Sequence, residues 1–582
     1  MVTAHNMTRH FRFVQRKVQN RGAVRLGLAG ALATLLVTSL AVIRPALVTD
    51  DERTAAQAIV ERRLRADTRF LSGDALEGRA PGSHGERLAR EYVAARFESM
   101  GLEPVASGGF EQPVPLVGVT TRAPETLKLA RGGESASLRL RDDYVASSDS
   151  PAAEVKIDGA EIVFVGYGIV APEHGWDDYK GADLRGKLLL VMNNDPESDP
   201  ALFAGKRRLY YGRWDYKYQM AAERGALGAI VIHTQASAGY AWPVVESSWS
   251  GELLSLPGRE GAALALKAWA TEDACRRIAR LAGRDLDALR KSAETRAFRP
   301  VPLGVNAFGV LRNEVAPRQS ANVLARLPGS DPALAREAVV YTAHHDHLGS
   351  RAQAAGGPLV FNGALDNAAG VATLLSVADA FAALPERPRR SILFASVTAE
   401  EQGLLGSEYL ARHLPLPPGR VAANINIDGA SIWGRTKDVP VVGLGKSSLD
   451  EWVRALAEMQ GRRVVPEAFP DKGAYYRSDH LSFARLGVPS AYLDAGTDVV
   501  GRPPGWGLRQ QQAWEDAHYH QPSDDLTPEW SFEGAVEDAR LLFLLGAKVA
   551  NAARVPEWRP GDEFEAARKK ALAELERSAA TR

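Results

Sequence analysis

The stretch EAVVYTAHHDHLG (337–349) joins a run of apolar residues directly to a cluster of histidines and an aspartate. Similar apolar runs recur toward the C-terminus as SILFASVT (391–398), VAANINI (421–427) and VPSAYL (488–493), with amphipathic helical patterns between them. Short apolar strands that alternate with helices indicate a parallel sheet covered on both faces. The sequence therefore predicts an α/β fold whose mainly parallel central sheet is flanked by helices. The helices between these strands are expected at 368–384, 405–413 and 448–459.

Polar side chains directly follow three of these predicted strands. His344 follows the first strand, Glu400 and Glu401 follow the second, and Asp428 follows the third. Parallel sheets place their sites beyond the carboxyl ends of the strands, so these side chains should meet in one crevice. Asp366 should join them, because it precedes a predicted helix and a carboxylate is favoured near a helix N-terminus.

The residue types expected in this crevice suit zinc with nitrogen and oxygen ligands. Histidines cluster in YTAHHDHLG (341–349) and AHYHQPSDD (517–525), and acidic segments lie between these clusters in the sequence. The adjacent carboxylates of Glu400 and Glu401 allow one to bind metal while the other stays free as a base. A single histidine at a strand end is more often structural. The prediction of a metal site therefore depends on the whole set.

Together these segments resemble the zinc aminopeptidases with two co-catalytic metals, a family that includes leucyl aminopeptidases and glutamate carboxypeptidase-like peptidases. The family pattern reads H-x-D, D-N-x-x-G, E-E-x-G-x-x-G-S, an Asp that ends a strand, and Tyr-His. This chain matches it at His344–Asp346, Asp366–Gly370, Glu400–Ser407, Asp428 and Tyr519–His520. The resemblance covers about residues 57–150 and 301–555, including the loop LEGRAPGSHG (76–85).

The resemblance implies two zinc ions per chain. Asp366 would bridge both ions. His344 and Asp428 would complete one zinc site, and Glu401 and His520 would complete the other. No ligand of the family pattern is missing from the sequence.

The resemblance also assigns residues that act beside the metals. Glu400 would be the general base and then the general acid. Asp346 would orient the imidazole of His344 without binding metal, as acidic neighbours of metal-bound histidines do. Tyr519 would be a candidate hydrogen-bond donor to the oxyanion. The remaining histidines near the motifs are rival ligands by proximity (His345, His347 and His518) or a residue that shapes the pocket (His480).

Residues 148–300 look like a protease-associated domain inserted into the catalytic domain. The segments 166–187 and 217–233 carry that resemblance, and such domains usually act as lids or position substrate. The predicted organisation is a basic N-terminal flank (1–25), a signal peptide or signal anchor (26–43), an N-terminal part of the catalytic domain (52–147), the inserted β-rich domain (148–300), the zinc peptidase catalytic domain (301–555) and a charged helical tail (556–582).

The segment LGLAGALATLLVTSLAVI (26–43) is uncharged and follows a purely basic flank. This order is typical of a secretory signal, and 18 apolar residues are also just enough to span a bilayer. We therefore expect an exported protein, periplasmic or extracellular. Its only membrane contact would be through this segment, either as a cleaved signal or as a single N-terminal anchor.

The composition argues against several other classes of protein. The chain of 582 residues has 71 basic and 71 acidic residues, but seven of the basic ones fall in 1–49, which leaves 64 against 71 in the rest. A mildly acidic protein is poorly suited to bind nucleic acid. The single cysteine, Cys275, allows neither an internal disulfide nor a cysteine-based zinc site. The sequence also lacks the G-x-S-x-G motif of many serine hydrolases.

The sequence therefore predicts an exported zinc-dependent exopeptidase, a metallo-aminopeptidase that hydrolyses N-terminal residues from peptides. Three alternatives share part of the pattern. A glutamate-carboxypeptidase-like enzyme would use the same metals but needs cationic groups for the substrate carboxylates. A glutaminyl cyclase would use a single zinc, and a non-catalytic receptor-like relative would have lost ligands.

Overall fold

The fold was analysed in a computed structural model, which describes residues 47–105, 108–199, 202–249, 251–257, 263–353 and 356–580. Its strands, in chain order, are β1 (Glu103–Pro104), β2 (Glu111–Arg122), β3 (Thr126–Arg131), β4 (Glu134–Arg139), β5 (Tyr144–Ser147), β6 (Glu154–Phe164), β7 (Val170–Ala171), β8 (Trp176–Asp177), β9 (Leu188–Met192), β10 (Gly228–His233), β11 (Glu252–Ser255), β12 (Leu266–Thr271), β13 (Val301–Leu327), β14 (Ala338–His344), β15 (Gly349–Arg351), β16 (Leu359–Phe361), β17 (Ser391–Val397), β18 (Val421–Asn426), β19 (Asp438–Val441), β20 (Arg463–Pro466) and β21 (Ser490–Tyr492).

The α-helices, in chain order, are α1 (Asp50–Ala56), α2 (Glu61–Leu71), α3 (His84–Ser99), α4 (Trp214–Glu223), α5 (Gln235–Ala238), α6 (Trp242–Ser248), α7 (Glu272–Leu281), α8 (Leu286–Ser292), α9 (Ala369–Ala382), α10 (Leu405–His413), α11 (Leu449–Met459), α12 (His480–Ala484), α13 (Trp506–His518), α14 (Glu533–Asn551) and α15 (Glu565–Ala580). The helices predicted between the C-terminal strands are confirmed as α9, α10 and α11.

Four parallel strands form the part of the sheet that the sequence predicted. They lie in the order β21-β18-β14-β17, and β13 then pairs antiparallel with β17. The four predicted apolar runs are thus confirmed as neighbouring strands. Their carboxyl ends meet at one edge of the sheet, which is where the predicted metal ligands follow.

Both faces of this sheet are buried, which explains why its strands are apolar at consecutive positions. In β14, Val339, Tyr341 and Ala343 pack into a core that includes α9 and α14. Val340 faces the opposite core, together with residues of α10 and α12. Helices therefore cover both sides of the sheet, and the predicted α/β class with flanking helices is confirmed.

The long strand β13 continues from the middle of the chain into this sheet. Its first part pairs with β6, its central part with β2, and residues 323–327 with β17. Beyond β6 the sheet continues through the parallel strands β9, β10 and β12, with β5 antiparallel at the edge. These strands surround a core of their own, drawn from residues between Leu127 and Leu311. The inserted domain with a boundary at 148 stays a prediction.

The predicted N-terminal signal or anchor cannot be compared with the structure. The predicted basic flank and signal segment, 1–43, lie outside the described residues. Within the part that the structure describes, no helix combines the length and apolarity needed to cross a membrane.

The C-terminal charged segment forms α15, which is anchored because the buried Arg568 guanidinium donates to the carbonyls of Pro418 and Val421. Cys275 is buried in α7.

The packing of α14 on β14 allows a test of the core. A Cβ atom on Gly546 would lie 1.8 Å from Tyr341 Oη, which is fixed by donating to Leu542 O at 2.7 Å. Gly546→Ala should therefore lower the free energy of unfolding by about 1–3 kcal/mol, although alanine is intrinsically the better helix former. Denaturant unfolding measures this change. Lys548→Ala, at a half-buried position of the same helix, should change stability by less than about 0.5 kcal/mol. Unchanged stability in Gly546→Ala would contradict the proposed close packing.

Candidate metal centre

The structure brings the five predicted ligands together at the carboxyl edge of the parallel strands. His344 is the last residue of β14, while Glu401 and Asp428 follow shortly after β17 and β18. Asp366 lies in the turn that leads into α9, and His520 follows the C-terminal end of α13. Because the strands are parallel, residues that are far apart in sequence reach the same crevice.

Asp366 lies between two histidines and presents a different oxygen to each. Its Oδ1 is 3.3 Å from His344 Nε2, and its Oδ2 is 3.3 Å from His520 Nε2. This is the arrangement expected of a carboxylate that bridges two cations.

Each side of Asp366 has a further carboxylate. Asp428 Oδ1 lies 3.4 Å from His344 Nε2, and Glu401 Oε2 lies 3.0 Å from His520 Nε2. Ligand atoms of His344, Asp366 and Asp428 all lie within 4.8 Å of one another, which suits a single metal ion. The crevice therefore has two neighbouring clusters of nitrogen and oxygen donors.

His347, a rival ligand by sequence, also reaches the second cluster. Its Nδ1 lies 2.6 Å from Glu401 Oε1, and ligand atoms of His347, Asp366 and Glu401 lie within 4.8 Å of one another. Its ring stands nearly perpendicular to that of His520, with centroids 5.7 Å apart. His347 is thus the one rival histidine that the structure brings to this cluster.

The charges of the cluster favour protonated imidazoles when no cation competes. Burial alone lowers the pKa of His520, but Glu401 and Asp366 outweigh it and raise this pKa to about 10. Burial likewise opposes protonation of His344, and Glu400, Asp366 and Asp428 together raise its pKa well above the usual value. Zinc binds imidazole in its neutral form, so metal binding here would release protons.

Asp346 fixes both an imidazole and the turn that carries the two glutamates. It is fully buried, and its Oδ1 and Oδ2 accept hydrogen bonds from the backbone N–H groups of Glu400 (3.1 Å) and Glu401 (3.3 Å). Its Oδ1 is 3.7 Å from His344 Nδ1, and its carbonyl oxygen is closer to that nitrogen, at 3.2 Å. The carbonyl oxygen of Asp346 is thus within hydrogen-bond distance of His344 Nδ1, and its carboxylate lies slightly farther away.

A cavity of about 240 Å³ adjoins the cluster. Its lining includes the carboxylates of Asp366, Glu400 and Asp428, which are called the acidic floor below. Burial raises the pKa of Glu400 well above its usual value, and the charges of Glu401 and Asp428 act in the same direction. Aromatic and apolar side chains form much of the wall: Trp433, Phe469, Tyr492, Leu493 and Trp514. The cavity can thus enclose a small or partly apolar group beside an acidic floor.

Tyr519, the candidate donor to the oxyanion, also lines the cavity. Its ring stacks on His520 with centroids 4.0 Å apart, and its Oη accepts a hydrogen bond from Arg477 Nη2 at 2.9 Å. A phenol that accepts one hydrogen bond keeps its own O–H for donation. Tyr519 can therefore still serve as a donor.

The other histidines lie apart from the cluster. His345 turns away, with Nδ1 3.0 Å from Ser396 Oγ and Nε2 3.4 Å from Glu86 Oε1. His518 is half-buried and lies 2.9 Å from Ser523 Oγ. His480 is buried in α12 against the rings of Tyr475 and Tyr492, and the latter lines the cavity.

Two residues that the sequence did not single out hold the cluster in place. The buried Arg79 guanidinium donates to the carbonyls of His345 (2.7 Å), Asn362 (2.6 Å) and Gly363 (3.0 Å), which ties the end of β14 to the loop before Asp366. Asp524 accepts from the N–H groups of Leu365 (2.9 Å) and Asp366 (3.1 Å). Both residues lie in segments that the sequence marked, 76–85 and 517–525, but without a role.

Comparisons with known proteins fit this geometry. The model of peptidase family M28 matches residues 322–543, which contain all the predicted ligands and Glu400. Leupeptin-inactivating enzyme 1 of Streptomyces exfoliatus is 28% identical over 210 residues, 35% of this chain and 43% of that protein. Aminopeptidase NAALADL1 of mouse is 30% identical over 177 residues, 26% of this chain and 22% of that protein.

Among solved structures, the aminopeptidase from Aneurinibacillus sp. strain AM-1 aligns with a TM-score of 0.49 at 22% identity. The alignment covers 87% of this chain and 97% of that aminopeptidase. The curated relatives, in contrast, are matched over less than half of their length. The family model spans the strand ends and loops that supply the two donor clusters, and residues 322–543 of this chain are thus similar to peptidase family M28.

Proposed function

We propose that this chain is an exported zinc-dependent aminopeptidase that hydrolyses N-terminal residues from peptides. The observation that carries the proposal is the placement of Asp366 between His344 and His520, beside a cavity that Glu400 lines. The similarity to a leupeptin-inactivating enzyme and to an aminopeptidase supports a reaction at peptide bonds.

The donors fit two zinc ions in number and chemical type. His344 and Asp428 would hold one ion, Glu401 and His520 the other, and Asp366 would bind both. All are nitrogen or carboxylate donors, which zinc accepts. Zinc bound here would polarise the substrate carbonyl and lower the pKa of a water molecule.

Glu400 is the group that moves protons in this proposal. Its carboxylate faces the cavity, whereas the neighbouring Glu401 is engaged by His347 and His520. Glu400 accepts a proton from the attacking water and donates it to the nitrogen of the leaving amine, as a positioned general base and acid. Asp346 holds the backbone of Glu400, and the Tyr519 hydroxyl donates to the developing oxyanion.

The charged residues of the cavity favour an amino-terminal substrate over a dicarboxylate. Lys472 is paired with Glu515, and Arg477 donates to Tyr519. A glutamate-like substrate would have to compete for these cations. The acidic floor of Asp366, Glu400 and Asp428 instead suits a free amino group. A glutaminyl cyclase, which would use a single zinc, is disfavoured because His344 and His520 both face Asp366, so that donors for two ions are present.

Export is a part of the proposal that depends on the sequence alone. The uncharged segment 26–43 behind its basic flank is typical of a secretory signal or an N-terminal anchor. The catalytic residues would then act in the periplasm or outside the cell.

Substrates with free and blocked amino termini test the reaction class. The enzyme should hydrolyse an aminoacyl-anilide, and N-acetylation of the same compound should abolish turnover because the acidic floor loses its cationic partner. Release of the aniline gives the rate. Preferential release of a C-terminal glutamate from an N-blocked peptide would instead establish the carboxypeptidase alternative.

Adjacent variants separate proton transfer from metal binding. Glu400→Gln should keep two zinc ions while kcat falls on the order of 10²–10⁴-fold, because the proton-accepting carboxylate is gone. Glu401→Gln should lose zinc as well as activity. Metal analysis and steady-state kinetics measure both effects. Near-normal turnover in Glu400→Gln would contradict the proposed mechanism. Loss of zinc in Glu400→Gln with retention in Glu401→Gln would mean that Glu400 binds the metal and Glu401 transfers the proton.

The bridging role of Asp366 has its own test. Asp366→Ala should lower zinc content more than Asp428→Ala does, because only Asp366 faces both histidines. Zinc per chain is measured after dialysis. Asp494→Ala is the matched control, since Asp494 is another carboxylate of the same cavity outside the two clusters. Retention of two zinc ions by Asp366→Ala would refute the bridge.

A further inference from the structure

A serine from the middle region of the chain contacts a proposed metal ligand. Ser248, the last residue of α6, places its Oγ 3.0 Å from His520 Nδ1. The two residues are 272 positions apart in the sequence. The contact lies on the side of the imidazole opposite the one that faces Asp366 and Glu401.

We propose that Ser248 is a positioning residue of the metal centre, whose hydroxyl holds His520 so that Nε2 faces Asp366 and Glu401. This inference rests on the proposed zinc site. A neutral imidazole that gives its Nε2 lone pair to a cation carries its proton on Nδ1, and that N–H needs an acceptor. Ser248 Oγ is at the correct distance to accept it.

The middle region also reaches His520 indirectly, through Arg477 and Tyr519. The ring of Tyr519 stacks on His520, and Arg477 lies over Tyr519 with its Cζ 5.9 Å from the ring centroid. The Arg477 Cζ also lies 5.3 Å from the ring centroid of Tyr240, two residues before α6 begins at Trp242. The imidazole therefore contacts Tyr519 on its face and Ser248 at Nδ1, and Tyr240 contacts the Arg477 that lies over Tyr519.

The helix that carries Ser248 is itself fixed to the region that the M28 family model matches. Arg351 Nη2 donates to the carbonyl of Ser247 at 3.2 Å. Farther along, the N–H of Leu254 in β11 donates to Gln402 Oε1 at 3.1 Å, and Gln402 directly follows the other ligand, Glu401. These contacts all lie on the His520–Glu401 side of the cluster.

The two histidines therefore differ in what supports them. His344 Nδ1 is 3.2 Å from the carbonyl oxygen of Asp346, two residues away in the same loop. His520 Nδ1 depends on a residue of the middle region. Loss of the Ser248 hydroxyl should consequently weaken the zinc ion bound by Glu401 and His520 and leave the ion bound by His344 and Asp428 in place.

The test compares three variants of the full-length, zinc-loaded protein. Ser248→Ala should raise the dissociation constant of one of the two zinc ions about 10–100-fold, the usual effect of removing a partner of a metal-bound histidine. Ser248→Thr keeps a hydroxyl and should restore wild-type affinity. Ser292→Ala is the matched control, because Ser292 is likewise the last residue of its helix, α8, and its hydroxyl donates within that helix, to Leu289 O at 2.7 Å.

Chelator titration measures the affinity of each zinc ion, and the visible spectrum of the cobalt-substituted protein reports a changed ligand field. Wild-type affinity for both ions in Ser248→Ala, or equal weakening in Ser292→Ala, would overturn the proposal. The zinc content of the wild-type protein is measured first. If the wild type does not bind two zinc ions, both the proposed function and this inference are refuted. Two tight ions in both wild type and Ser248→Ala would refute this inference alone.

Discussion

The carboxylate of Asp366, held between two imidazoles, is the interaction on which the rest of the site depends. Each of its oxygens lies 3.3 Å from a different histidine nitrogen. Such a position is costly to maintain, because nearby carboxylates repel one another and burial disfavours charge. The contacts with His344 and His520 oppose these effects and hold the pKa of Asp366 well below its usual value. Asp524 accepts hydrogen bonds from the N–H groups of Leu365 and Asp366, which fixes the backbone of the turn. The bridge is therefore a property of the backbone as much as of one side chain.

A buried cation balances part of this acidic cluster. Burial lowers the pKa of Arg79 to about 10, and the carboxylates of Asp346, Asp524, Asp366 and Glu401 all oppose that change. The guanidinium thus stays charged at neutral pH and donates to the loops on either side of the site. Leaving a buried charge without partners costs several kcal/mol. The N-terminal loop that contains Arg79 and the strand ends that contain the ligands therefore depend on each other for stability.

The sequence predicted the parallel strands because burial on both faces makes them uninterrupted apolar runs, as in β14 and β17. It predicted the ligands because parallel strands end at one edge and because the motif combination is specific. It could not predict the roles of Arg79, Asp524 or Ser248, since each acts through a partner distant in sequence and none belongs to a periodic pattern. Proximity in sequence was equally uninformative for the rival histidines: only His347 reaches the cluster, while His345 turns toward Glu86.

The strand β13 connects the middle region, which contains Ser248, with the sheet that carries the proposed metal site. It runs without interruption from pairing with β6, in the core of the middle region, to pairing with β17, whose end carries Glu401. Its central part also pairs with β2, and β2 pairs with β11, which follows α6 in the chain. A hydrogen-bonded ladder thus connects α6 with the strand end at the site. This continuous sheet fixes the middle region relative to Glu401, and the proposed contact from that region to His520 is the Ser248 hydroxyl.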